Sequence, residues 1–263
     1  MLIFRQEWRN KRRFILLWAL SLSACIFILT PVYNGMIGSL DELPEGLSNN
    51  GFLISLGLSL ELLKTPLGMY GFLTNFLMNA GGIFGMYLGL SLYTKDCANL
   101  TAEYLYTKPI SRTTIFLGKN LCLFLGITVV GICYLVASLA TLGIFFEGFS
   151  LRPLLLMALS FPLHALFFGF LGILVGLLFP RNRSELLTAS LTVFAEYGVM
   201  ASSSTVEFRP MTYLSPFSYF SPAYIHTYGH YETGYLLCYL FFLLLFWVWA
   251  YQRERSRDIA LAV

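Results

Sequence analysis

Lysine and arginine in this chain are confined almost entirely to every second connection between long apolar segments. Arg5, Arg9, Lys11, Arg12 and Arg13 precede the first such segment, and Lys95, Lys108, Arg112 and Lys119 separate the second from the third. Arg181 and Arg183 separate the fourth from the fifth, and Arg253, Arg255 and Arg257 follow the sixth. Those connections hold 14 of the 17 basic residues; the others carry Lys64, Arg152 and Arg209. Loops rich in Lys and Arg stay on the cytoplasmic side of a membrane. The pattern therefore predicts a chain threaded six times through a bilayer with both termini in the cytoplasm.

Composition agrees. With 57% hydrophobic and 12% charged residues and a mean hydropathy of +0.70, the chain has too little polar surface to cover a soluble domain. The basic residues cluster at the ends of apolar runs and form no stripe of the kind that binds nucleic acid, so no nucleic-acid partner is expected. A helix needs about 20 apolar residues to cross the hydrocarbon. The spans read as Phe14–Tyr33, Met69–Tyr93, Ile115–Phe146, Leu154–Phe179, Leu186–Ser203 and Gly234–Tyr251. The predicted fold is all-α: one transmembrane domain over residues 1–263.

Three stretches outside the spans carry further expectations. Residues 1–13 set Leu2, Ile3, Phe4 and Trp8 among five cations, which suits an amphipathic helix on the inner membrane surface. Ordinary flanking charge gives the same topology. The apolar run that follows is too long for a cleaved leader and reads as a signal anchor. Between the first two spans, Phe52–Leu63 is apolar but short and reads as an amphipathic helix at the outer interface, with a re-entrant piece as the alternative. Residues 204–233 hold Pro210, Pro216 and Pro222 among many tyrosines, which predicts broken outer helices, re-entrant or interfacial, before the last span. The five cysteines imply no disulfide framework.

Residues 94–114, in the longest basic connection, are the most specific stretch. A helix-compatible run from Asn99 to Tyr106 breaks at Pro109, and Ser111 is placed to cap the next helix. The sequence Thr101-Ala102-Glu103-Tyr104-Leu105-Tyr106-Thr107-Lys108-Pro109-Ile110-Ser111-Arg112, followed by Gly118-Lys119, resembles the stretch after the second membrane helix of ABC-2 type permeases, the membrane subunits of ABC exporters. Glu7-Trp8-Arg9 through Trp18 is similar to that family's charged pre-helix, and Leu214-Ser215-Pro216-Phe217-Ser218-Tyr219-Phe220 to its outer motif.

The resemblance implies a permease subunit that forms a translocation pathway and couples to a separate ATPase chain. Residues 94–114 become a coupling segment, with Glu103, Tyr104, Pro109, Ser111, Arg112 and Lys119 transmitting motion from the ATPase. Pro216, Phe217, Tyr219 and Phe220 become an outer gate. ABC ATPase subunits and a second permease, identical or homologous, are the implied partners, in the lipid of a bacterial plasma membrane. The cargo class is an amphiphile such as an antimicrobial peptide, a drug or a lipid. The chain itself lacks a phosphate-cradling loop, since Gly118-Lys119 is followed by Asn120. It is expected to bind no cofactor and to catalyse nothing, ATP being held by the partner.

Within the spans, Gly81-x-x-x-Gly85-x-x-x-Gly89 and Gly172-x-x-x-Gly176 mark close helix contacts. Glu196 and His164 are ionisable groups at intermediate depth, where charge is costly. They are the candidate pathway residues, and His164 is near enough in depth to hydrogen-bond Glu196. An ion-coupled secondary transporter using that pair is the alternative, although no internal repeat supports it. An intramembrane enzyme would need more catalytic groups than one Glu and one His. His226, His230 and Glu232 lack a well-placed third ligand for a metal site.

Overall fold

The computed structural model describes residues 2–35, 63, 65–98, 110–146, 148–182, 184–206 and 212–256. Helices make up nearly all of them: α1 (Leu2–Gly35), α2 (Pro66–Ala98), α3 (Arg112–Phe145), α4 (Leu151–Leu178), α5 (Glu185–Val206), α6 (Pro222–Tyr228) and α7 (Thr233–Ser256). A 3-10 turn at Pro216–Ser218 precedes α6. In hydrocarbon every backbone N–H and C=O must find a partner within its own segment, and the helix is the form that achieves this without closing a barrel.

Five of these helices are long and apolar enough to cross a membrane: α1 over Ile3–Val32, α2 over Pro66–Asp96, then α3, α4 and α7. Helix α5, the expected fifth crossing, is not among them. Glu185, Glu196 and the hydroxyls of Thr188, Ser190, Thr192, Ser202 and Ser203 dilute its apolar character. Nor does a break separate residues 2–13 from the first span. No Gly or Pro interrupts Asn10 to Phe14, and α1 runs unbroken through the basic stretch into the apolar one. The expected outer helix at Phe52–Leu63 lies outside the described residues except for Leu63, which is buried.

The core is built on α2 and α4, which run side by side in the same direction. A Cβ at Gly85 would stand 2.0 Å from the Ala165 carbonyl oxygen, and one at Gly89 would stand 2.1 Å from that of Gly169. From the other side, a Cβ at Gly172 would meet the Met86 carbonyl at 2.3 Å. Glycines on both helices thus bring the two backbones into contact, where dispersion and weak Cα–H···O contacts act over many atoms. The small-residue spacing read from the sequence serves packing within the chain.

Helix α3 packs along α1, with Gly118 against Ile3 and Gly126 against Ile15 and Leu88. It is tied to α2 by hydroxyls: Tyr70 donates to Ser138 Oγ at 2.9 Å, and Thr74 and Tyr134 share a 2.9 Å hydrogen bond. Hydrogen bonds of this kind stabilise contacts between membrane helices by roughly 0.6 to 2 kcal/mol. Pro162 lies inside α4 without breaking it, and its ring fills the space left by Gly131 of α3. Helix α5 runs antiparallel to α2, Val193 lying 3.2 Å from a Cβ at Gly82, while α7 lies along α4.

Because the acceptors opposite Gly85 are backbone atoms, Gly85→Ala is expected to force the helices apart and to destabilise the fold by about 1–3 kcal/mol. Gly143 has nothing within 4 Å of its Cβ position, so Gly143→Ala should stay within about 0.5 kcal/mol of the parent. Thermal unfolding in detergent followed by size exclusion checks the contrast.

Candidate functional site

At the basic end of the bundle, residues from four helices form one charged layer. Lys11 of α1 is buried and donates to Ser91 of α2, with its ammonium 5.5 Å from the centre of the Tyr87 ring. Lys119 of α3 is 1% exposed. It donates to the Leu92 carbonyl and to Asp96, both on α2, and sits 4.3 Å above the Tyr93 ring. Thr94 donates to Glu185 at the start of α5. Glu7 lies within electrostatic reach of Lys119, Asp96, Lys11 and Lys95.

The coupling residues implied by the resemblance divide here. Glu103, Tyr104 and Pro109 lie outside the described residues, as does the run Asn99 to Tyr106. Ser111 caps α3 as its position suggests, accepting from the Thr114 backbone N–H at 3.2 Å. Arg112 reaches across to the end of α7 and donates to the carbonyls of Glu254 at 3.4 Å and Arg255 at 2.9 Å. A guanidinium there satisfies terminal helix carbonyls and complements the negative end of the helix dipole. Phe116 stacks edge-on against Trp247 and Tyr251, which extends the same joint inward. Lys119, grouped by the resemblance with the residues that transmit motion, points into the bundle. It is two turns inside α3, where that helix already packs on α2.

At the opposite, aromatic end the segment after α5 folds back between the helices. Phe217, on the 3-10 turn, is buried with its ring 4.4 Å from that of His164 and 5.2 Å from that of Tyr197. Pro216, which opens the turn, is also buried. Ser215 donates to the backbone carbonyl of Glu196 at 3.0 Å, fastening the turn to α5. Tyr219 donates to the Tyr213 carbonyl at 2.7 Å, and Phe220 packs edge-on against Tyr231 and Tyr239. Tyr231 and Tyr239 in turn donate to the carbonyls of Leu156 and Leu163 on α4, at 2.7 and 2.9 Å. The four gate candidates are thus wedged among α4, α5 and α7. Helix α6 closes the end, capped by Ser221 before Pro222 and stopped by Gly229 at a φ of 67°.

His164 and Glu196 do not form the expected pair. His164 is fully buried, its ring lies against Phe168 and Phe217, and neither ring nitrogen makes a hydrogen bond, though the Pro216 carbonyl is beside it. One carboxylate oxygen of Glu196 is likewise buried without a partner. The aromatic turn stands between α4 and α5 and takes the place of a direct contact. Tyr197 and Asn79 also bury an unbonded polar atom each. Asn79 lies about one turn from Gly82 and Tyr197 about one turn from Val193, residues that meet across antiparallel helices, so the two share a level. His226 approaches Thr65 at 3.4 Å, while His230 sits against Tyr224 and Tyr228. The two histidines therefore face different neighbours. Partial burial lowers the His226 imidazole below its ordinary value and favours the neutral ring.

Sequence reasoning passed over Glu7, Lys11, Asp96 and Glu185. A signal was present for three of them: Glu7, Asp96 and Glu185 are among the few carboxylates on the basic side, and each stands near the end of an apolar run.

A family model described as "ABC-2 family transporter protein" matches residues 1–252. No curated protein and no solved structure matches the chain.

Hydrogen bonds to charged groups contribute about 1.5–3 kcal/mol each. Arg112→Ala is therefore expected to loosen the end of α7 and to speed amide exchange over its last two turns by about tenfold. Hydrogen–deuterium exchange of the detergent-solubilised protein measures it, with α4 as the unaffected internal reference.

Proposed function

The chain belongs to the ABC-2 family of transporter proteins, and from that premise we propose that it is the permease subunit of an ATP-driven exporter. Members of this family are membrane transport subunits that work with ABC ATPase partners. The observation that carries the proposal is the extent of the family match, which runs through the coupling-type segment as well as the apolar helices. In this reading the helices cross a bacterial plasma membrane six times, α5 included, with the charged layer at the cytoplasmic side. Glu185 then lies at the inner boundary. One carboxylate oxygen of Glu196, the costly residue of that helix, is buried, and its backbone carbonyl accepts from Ser215 of the aromatic turn.

The segment between α2 and α3 is the docking element. Glu103, Tyr104 and Pro109 present its contact surface, while Ser111 and Arg112 fix the helix that leaves it. ATP is bound and hydrolysed by the partner. A second permease, identical or homologous, completes the pathway. The aromatic turn with Pro216, Phe217, Tyr219 and Phe220 closes the outer end, and its withdrawal uncovers His164, Glu196, Tyr197 and Asn79 to the cargo. A pathway of mostly apolar walls with a few buried polar atoms suits an amphiphile such as a peptide, drug or lipid.

Affinity purification of the tagged chain from its host in mild detergent tests this reading. An ABC ATPase is expected to accompany it, and the double variant Glu103→Lys/Tyr104→Ala should retain about tenfold less of that subunit. Recovery of the chain without an ATPase, together with ATP-independent cargo movement in liposomes, overturns the reading.

A further inference from the structure

The charged layer at the basic end has a specific relation to the segment it surrounds. Asp96 lies two residues before the end of α2, and Lys119 lies two turns into α3, so their ion pair bridges the two feet of the stretch between these helices. Lys119 is held a second time by the Leu92 carbonyl and a third by the face of Tyr93. An ammonium with three donors on a flexible stem suits such a set of contacts.

The layer reaches beyond those two helices. Lys11 fastens α1 to α2 through Ser91, and Glu185 fastens α5 to α2 through Thr94. Glu7 adds a second carboxylate near Lys119 and Lys11. Three carboxylates (Glu7, Asp96, Glu185) thus balance three ammonium groups (Lys11, Lys95, Lys119). Lys11 and Lys119 are buried, whereas Lys95 and, on α1, Arg5, Arg9, Arg12 and Arg13 are exposed. The buried lysines serve the bundle; the exposed arginines face its surroundings.

We propose that Asp96 and Lys119, supported by Glu7, Lys11 and Glu185, clamp the two feet of the coupling segment to α1 and α5, so that displacement of the segment moves these helices as one body. These are positioning residues, and the proposal rests on the coupling role given above to the segment. Helix α5 carries the movement outward. Glu185 at its start touches the clamp, and Glu196, about 16 Å along the axis at 1.5 Å per residue, holds Ser215 of the aromatic turn. The glycine-packed pair of α2 and α4 offers a stiff wall for that motion. A network of this kind earns the word coupling only when both of its ends are measured.

The experiment uses the full chain with its co-purified ATPase in liposomes. A Leu214→Cys reporter, exposed just before the aromatic turn, is labelled from outside with a membrane-impermeant maleimide in the presence and absence of ATP. The parent is expected to change its labelling rate on ATP addition. Asp96→Asn, close to isosteric, and Lys119→Met are expected to keep the ATPase bound and to reduce that change at least fivefold. Asp96→Glu, which keeps a carboxylate beside Lys119, should retain most of it, an outcome that a general loss of packing does not give. If Lys119→Met fails to elute as a folded complex, Asp96→Asn decides alone. Retention of the full response by Asp96→Asn, or an ATP-independent reporter in a parent that holds its ATPase, overturns the clamp. Absence of the ATPase from the parent complex instead overturns the functional reading beneath it, and the clamp falls with it.

Discussion

Backbone contact between α2 and α4 depends on glycines at Gly85, Gly89 and Gly172, and most of the bundle takes its position from that contact. Lipid tails are as apolar as leucine, so helices in a membrane gain little from burying side chains against each other. Close approach is what distinguishes one arrangement from another. Once α2 and α4 touch, the rows on either side become available. Phe161 of α4 stacks at 4.5 Å on Tyr134 of α3, whose hydroxyl meets Thr74 of α2. Gly82 opens a place for Val193 and Phe168, and so seats α5.

The two ends of this rigid pair are finished with different chemistry. At one end buried ammonium groups meet half-buried carboxylates, and at the other aromatic rings carry their hydroxyls to backbone carbonyls. Removing one partner from a buried ion pair costs roughly 3–5 kcal/mol, because the remaining charge is left without compensation. Tyrosine hydroxyls on carbonyls contribute less individually and can exchange a protein acceptor for water. The contrast gives one end that is costly to dissolve and one that can open. Under the proposed coupling role the stiff end is the input and the other the output.

Much of this was legible in the sequence, and the reasons it was not all legible are physical. Hydropathy located the apolar helices, because length and polarity are local properties. The glycine spacing announced close packing, and Ser111 was readable as a cap because capping depends on neighbours within one turn. Helix α5 was the weak point: its hydroxyls satisfy themselves on carbonyls one turn back, as Thr192 does on Thr188 and Ser202 on Gly198. A polar composition therefore does not by itself say what faces the helix. The partners of Lys119, His164 and Arg112 were not legible, since each depends on which helices lie side by side. For Arg112 the partner is 142 residues away. Depth alone suggested joining His164 to Glu196, and depth does not reveal that Phe217 stands between them.

The basic residues illustrate how one sequence signal can carry two meanings. Charge counting treats Lys11 and Arg12 alike, and for orientation in the membrane they are alike. Their surroundings separate them: Lys11 is 2% exposed and turned toward Ser91 and Tyr87, while Arg12, one residue on, is exposed. A step of one residue rotates a helix by about 100°, enough to move a side chain from the interior to the surface. Lysine fits the interior site because its compact ammonium can be enclosed by the Ser91 hydroxyl and the Tyr87 ring, whereas a guanidinium presents five donors in a plane that would need a wider set of acceptors. The orienting charge and the structural charge are therefore interleaved along one helix. A substitution that conserves the count, such as Lys11→Arg, preserves the first role and disturbs the second.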